Sequence, residues 1–238
     1  MKILQVFIRK LERPTGEKKA YDVDFSKIHP AYILASWFWS GRLRPAAGTW
    51  GTLAALPFWW LVFQSGSLWF VLATLLVLFI LGSLAIEYIE KTVGKDKCHD
   101  ASVFVVDEVV GMGITLLPIA YFGTAFFPVW AWWLYAFLAF RFFDVVKLFP
   151  ARLIDCRMHN GWGVMLDDVV AGVHGAIAAL TLIFTVSTWQ ICVASGQCIG
   201  SDGELFILFL LHAVPALCFF ASLIAVPWLL GFFYKKKK

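Results

Sequence analysis

Two pairs of adjacent acids stand inside apolar sequence: Asp107-Glu108 and Asp167-Asp168. Each pair runs into two valines and then into small residues, Gly111 after the first and Ala171-Gly172 after the second. Neighbouring carboxylates in such surroundings cannot both ionise without cations or donors close by. On a helix they point about 100° apart, so one acid of a pair can ligate a metal while the other serves behind it or on a second ion. Hard oxygen donors without a His or Cys cluster suit Mg²⁺, with Mn²⁺ as the alternative. Asp107, Glu108, Asp167 and Asp168 are therefore candidate metal ligands, and such ions characteristically act on phosphate groups. Basic residues suited to phosphate oxygens lie nearby: Arg141 and Lys147, which with Asp144 recur at i, i+3, i+6 and predict one polar stripe on a helix, and then Arg152. A third stretch, residues 41–52, carries Arg42, Arg44, Gly48, Thr49 and Thr52 into an apolar run. Gly48 would let backbone N–H groups approach an anion, and the two threonines add donors. The bland alternative is a Gly/Pro loop with a Thr helix cap.

The elements that must position these groups are membrane helices. Of 238 residues, 61% are hydrophobic and only 15% charged, with mean hydropathy +0.77. A soluble domain carries about 25% charge, so much of this surface should face lipid. The strongest apolar run, residues 68–86, has the ~20 residues a spanning helix needs. Runs at 53–63, 109–122, 128–140, 169–193 and 205–233 complete an all-α polytopic bundle of about six membrane-embedded helices in three hairpins. The first, third and fourth are short enough for re-entrant or tilted segments. Residues 1–52 hold nine Lys/Arg, 87–108 three, 141–168 four and the tail Lys235 to Lys238 four, which is all 20. The hairpin tips hold none, so both termini and the polar stretches above are expected on the cytoplasmic side. The chain then divides into a cytoplasmic N-terminal segment (1–29), a membrane domain holding the acids (30–193), and an added loop and transmembrane helix with a Lys tail (194–238). That tail is expected to meet anionic lipid headgroups. No nucleic-acid partner is expected.

Together these features predict a site for a phosphorylated lipid at the cytoplasmic interface, where a metal polarises the phosphoryl group and a second carboxylate or His159 moves a proton. The attacking oxygen is water or a side chain such as Thr49. Five cysteines offer no CxxC and no zinc spacing, and Cys98 and Cys156 lack an Arg six residues on. Cys192 and Cys198 flank the last loop, unpaired or paired according to the compartment it meets. Asp22-Val23-Asp24 imitates an aspartyl-phosphatase box, but no apolar strand precedes it. An ion-coupled transporter is the rival from another class, since embedded acids also mark ion paths.

Three blocks carry a family resemblance: residues 45–57 with GTWGTLAALP, 100–115 with VVDEVVGMGIT, and 140–173 with FRFFDVVKLFPARLID and GWGVMLDDVVAGV. The chain resembles the phosphatidylglycerophosphatase A family over roughly residues 30–185. Ala47 stands where the family has a proline before its GT, with Pro45 two residues earlier. The resemblance implies Mg²⁺-dependent removal of the terminal phosphate of phosphatidylglycerophosphate, giving phosphatidylglycerol, in the bacterial inner membrane with the site facing the cytoplasm. It adds Asp144 to the candidate metal and catalytic acids, and makes Arg141, Lys147 and Arg152 the candidate phosphate binders. Among these groups Asp107, Asp144, Asp168 and Thr49 are the candidate catalytic residues, with Gly48 and Thr52 beside the substrate. Another phospholipid as substrate of a phosphatase or phosphotransferase is the nearer alternative.

Overall fold

The computed structural model describes residues 22–94, 98, 101–123, 126–151, 153–154, 158 and 160–195, apart from the side chains of Cys192 and Ser195. Within them all regular structure is helical: α1 (Pro30–Ala35), a 3-10 turn (Ser40–Arg42), α2 (Ala47–Phe63), α3 (Leu68–Val93), α4 (Val106–Phe122), α5 (Val129–Val146) and α6 (Gly161–Ser195). The ends follow local chemistry. Ser67 caps α3 by accepting from the Phe70 N–H at 3.3 Å, and Gly94, at φ 101°, closes it. Pro128 immediately precedes α5, and Asn160 Oδ1 caps α6 by accepting from the Gly163 N–H at 2.8 Å.

α4 is the core helix: eleven of its 17 residues are buried, against four of 18 in α5. It crosses α6 at glycine. A Cβ on Gly172 would lie 2.5 Å from the Gly111 carbonyl oxygen, and one on Gly111 would lie 2.7 Å from the Asp168 carbonyl oxygen. Thr115 Oγ1 binds across the crossing to the Gly172 carbonyl at 3.1 Å. The small residues after the two acid pairs thus let backbone meet backbone. On the other flank the Trp59 indole donates to the Val109 carbonyl at 2.8 Å and its ring lies over Gly113, tying α2 to α4.

Among the described residues three helices are long and apolar enough to cross a membrane: Leu68–Val93, Val129–Val146 and Gly161–Ile191. α2 and α4, at 17 residues each with an internal proline, fall short of that measure. At about 25 Å, from 1.5 Å per residue, they are short as the sequence suggested, whereas α5, also read as marginal, is long enough to span. The run at 205–233, the Lys tail, residues 1–21 and the Cys198 loop lie outside the described residues.

The helices run past the apolar stretches at their polar ends. α2 starts at Ala47 rather than 53, α4 at Val106 rather than 109, α6 at Gly161 rather than 169, and α5 runs to Val146 rather than 140. The reason is physical: polar residues leave the hydrocarbon but not the helix, so hydropathy marks the embedded part alone. Gly48, Thr49 and Thr52 consequently sit on helical turns instead of in a loop, and the α2 cap is Ala46, with no side-chain hydrogen bond and no threonine in that role.

Candidate active site

Asp107 and Glu108 occupy the first turn of α4, where the partial positive charge of a helix N-terminus favours carboxylates. Asp107 Oδ1 accepts from the Glu108 N–H at 2.9 Å. Glu108 turns towards α2 and α5: its Oε1 lies 3.1 Å from Arg141 Nη1 and against the Cα of Gly48. The same Nη1 stands 2.7 Å from Asp144 Oδ2, one turn along α5, and 3.5 Å from Thr52 Oγ1. Thr52 in turn donates to the Gly48 carbonyl at 2.8 Å. Among the described residues, Arg141 makes every hydrogen bond and ion pair through Nη1, so Nε and Nη2 keep their donors.

The second pair enters from α6. Asp167 and Asp168 are both buried, and Lys147 Nζ pairs with Asp167 Oδ2. The predicted stripe therefore stops at Asp144. α5 ends at Val146, and Lys147 takes a left-handed backbone, φ 43° and ψ 68°, which turns its ammonium to α6 instead of stacking it over Asp144. Asp168 completes the cluster electrostatically: its charge acts on Arg141, and the charges of Asp107, Glu108, Asp144 and Asp167 act on Asp168. Five acids and two bases thus meet at one end of the bundle, a surplus of negative charge beside apolar helices.

The two acid-bearing helices come this close because Gly111 and Gly172 let α4 and α6 touch. A chain that spends its scarce charges this way, with the GTWGT turn of α2 on one side and the DVVK end of α5 on the other, has a known counterpart. The family model described as phosphatidylglycerophosphatase A matches residues 33–185. The chain belongs to the phosphatidylglycerophosphatase A family. A Haemophilus influenzae protein named phosphatidylglycerophosphatase A is 36% identical over 166 residues, 70% of this chain and 94% of that relative. An Escherichia coli protein of the same name is 36% identical over 170 residues, 70% of this chain and 90% of the relative. A Bacteroides thetaiotaomicron protein, provisionally named a phosphatidylinositol-3-phosphatase, is 33% identical over 164 residues, covering 67% and 94%. No solved structure matches the chain.

In this phosphatidylglycerophosphatase A homologue the candidates divide by what they touch. Gly48, Thr52, Glu108, Arg141 and Asp144 are joined by contact; Lys147 joins Asp167; Asp107 and Asp168 join through their charges. Thr49, half-buried in the first turn of α2, follows Gly48 directly and makes no hydrogen bond through its hydroxyl among the described residues. Arg152 and His159 lie outside the described residues. One contributor was not singled out by residue chemistry. Gly51 faces Glu108 Oε2 and Val105, and only its three-residue spacing from Gly48 hints at that. His174 is buried against Phe143, rings 5.6 Å apart, and nothing in the apolar α6 sequence marks it.

The donor set fits a hard divalent cation. Every acid offers oxygen, negative charge exceeds positive, and Glu108 Oε2 is buried with no hydrogen-bond partner. Among the described residues no three Asp, Glu, His or Cys side chains close into a ready metal cage.

Proposed function

We propose that this phosphatase removes the terminal phosphate of phosphatidylglycerophosphate, yielding phosphatidylglycerol and inorganic phosphate, with Mg²⁺ or Mn²⁺, at the cytoplasmic face of a bacterial inner membrane. One observation carries the reading: the Arg141 guanidinium is fixed by Glu108, Asp144 and Thr52 through one nitrogen and keeps Nε and Nη2 for phosphate oxygens. The relatives' names supply the substrate. The site lies at the ends of α4, α5 and α6 where the chain's basic residues gather, which suits a headgroup at the interface and, by the positive-inside rule, the cytoplasm.

In this reading Arg141 holds the phosphate, with Arg152 and Lys147 adding positive charge, and Asp107, Glu108, Asp144, Asp167 and Asp168 are the acids available to the cation. The cation, when bound, polarises the phosphoryl group and neutralises the charge that builds on it. The attacking oxygen, of water or of Thr49, bonds to phosphorus and gives its proton to Asp107 or Asp168, while the bond from phosphorus to the glycerol oxygen breaks and that oxygen takes the proton from the acid. Where Thr49 attacks, water then displaces the phosphate from its oxygen in a second step, so that inorganic phosphate leaves and the hydroxyl is restored. Valines around the acids keep bulk water out.

The test is phosphate release from phosphatidylglycerophosphate by purified protein in detergent, before and after chelation, with Mg²⁺ or Mn²⁺ restored. Asp107→Asn and Asp168→Asn should each abolish turnover while leaving the yield of folded protein intact. No release above blank by folded wild-type protein refutes the proposal. Phosphatidylinositol 3-phosphate belongs in the same assay, because the Bacteroides relative carries that substrate in its name; preferential turnover of it would reassign the substrate.

A further inference from the structure

Two glycines of α2 face α4, and a side chain would do different things at each. On Gly51, a Cβ would press 2.5 Å from Val105 Cβ, close to the backbone. On Gly48, its three nearest neighbours would all be side-chain ends: Glu108 Oε1 at 1.9 Å, Glu108 Cδ at 2.9 Å and Arg141 Nη1 at 3.0 Å. A flexible carboxylate can retreat from an added methyl group, so the fold survives there. What cannot survive is the place of Glu108 on Arg141.

The sequence alone suggests that Gly48 admits an anion to backbone N–H groups. The space is in fact taken by the Glu108 carboxylate, which would repel a phosphate. Thr52 closes the arrangement, donating to the Gly48 carbonyl at 2.8 Å while its oxygen faces Arg141 Nη1. We propose that Gly48 is a positioning residue: by lacking a side chain it seats Glu108 on Arg141, and through that pair it aims the guanidinium at the phosphate. This role rests on the phosphatase reading above. It makes the first glycine of the GTWGT block a spacer for an ion pair instead of a phosphate cradle.

The experiment uses the full chain in detergent with Gly48→Ala, Glu108→Ala and the double variant. Restoring a 3 Å contact moves the carboxylate by about 1 Å, a misplacement of the size that costs about 100-fold in rate. Gly48→Ala should therefore elute as folded protein with kcat for phosphatidylglycerophosphate lowered about 100-fold and KM little changed. Without substrate, Gly48→Ala should lower the thermal midpoint by a few degrees in the wild-type background and by much less in the Glu108→Ala background, where only the flexible Arg141 Nη1, 3.0 Å from the methyl group, must shift. An equal fall in both backgrounds would overturn the proposal, as would a raised KM at unchanged kcat, which would return Gly48 to the substrate. Wild-type protein that releases no phosphate but still couples Gly48 to Glu108 in the midpoints would overturn the substrate reading and support the seat.

Discussion

Gly172→Ala tests the contact on which the acid cluster depends. The added Cβ would stand 2.5 Å from the Gly111 carbonyl oxygen and 2.9 Å from Gly111 Cα, both backbone atoms that cannot rotate aside. Ordinary separation for such atoms is about 3.5 Å, so α4 and α6 must part by about 1 Å. Overpacking of this kind costs about 1–3 kcal/mol. Parting the helices also stretches the 3.1 Å bond from Thr115 Oγ1 to the Gly172 carbonyl, worth about 1 kcal/mol more. The total, about 2–4 kcal/mol, should lower the thermal midpoint by about 5–15 °C in a chain of this size. Turnover should fall about 100-fold even below the midpoint, because Asp168 moves away from Arg141 with its helix. Thermal unfolding in detergent and phosphate release at 20 °C below the variant's midpoint measure the two effects. Leu76→Ala, on the exposed face of α3, is the control and should leave turnover unchanged. Wild-type midpoint and turnover in Gly172→Ala would refute the claim that a backbone contact sets the distance between the acid pairs.

Arg141→Ala should cost about 3–5 kcal/mol, because it strips the shared cation from Glu108 and Asp144; chemical denaturation of the variant measures the loss. Arg141→Lys should keep part of that stability but lose turnover, since an ammonium has no planar fork to offer two phosphate oxygens. At the N-terminal edge, burial disfavours the Asp22 carboxylate, yet hydrogen bonds from Lys27, Tyr32 and the Val23 N–H outweigh it and hold the group below the usual Asp value. A folded-state value below the unfolded one contributes stability above the unfolded value, lost as pH falls through the folded one. Asp22→Asn should therefore lower the midpoint at pH 7 and make little difference near pH 3. Cys98 is buried, and burial with the neighbouring Glu90 charge pushes its thiol up to about 11. Maleimide at pH 8 should leave Cys98 unmodified in folded protein and label it on unfolding, as read by peptide mass; rapid labelling of the folded state would contradict the packing.

The placement of the acids was legible in the sequence where charge stood against apolar context. Asp107-Glu108 and Asp167-Asp168 announce themselves among valines, and the glycines after them turn out to be the crossing that joins them. Residues 68–86 reveal α3 for the same reason, that a long apolar run has few other uses. What stayed hidden depends on three dimensions. Counting by threes gave Arg141, Asp144 and Lys147 one stripe, but periodicity does not report where a helix stops, and a left-handed Lys147 moved the third member to another partner. Gly48 looked like a residue for approaching an anion, and the sequence does not say that the approaching anion is the chain's own Glu108. His174 carries no local mark, since an isolated His in an apolar helix reads the same on any face.

The two acid pairs lie 60 positions apart, and the groups they meet come from α2, α4, α5 and α6. During synthesis the N-terminal half of such a chain is delivered first, and contacts this distant in sequence form late. A nascent chain released after α5 would carry Glu108, Arg141 and Asp144 but neither Asp167 nor Asp168. The Lys147–Asp167 pair and the Gly111–Gly172 crossing can therefore form only after α6 has been made, so this end of the bundle is the part of the fold assembled latest among the described helices.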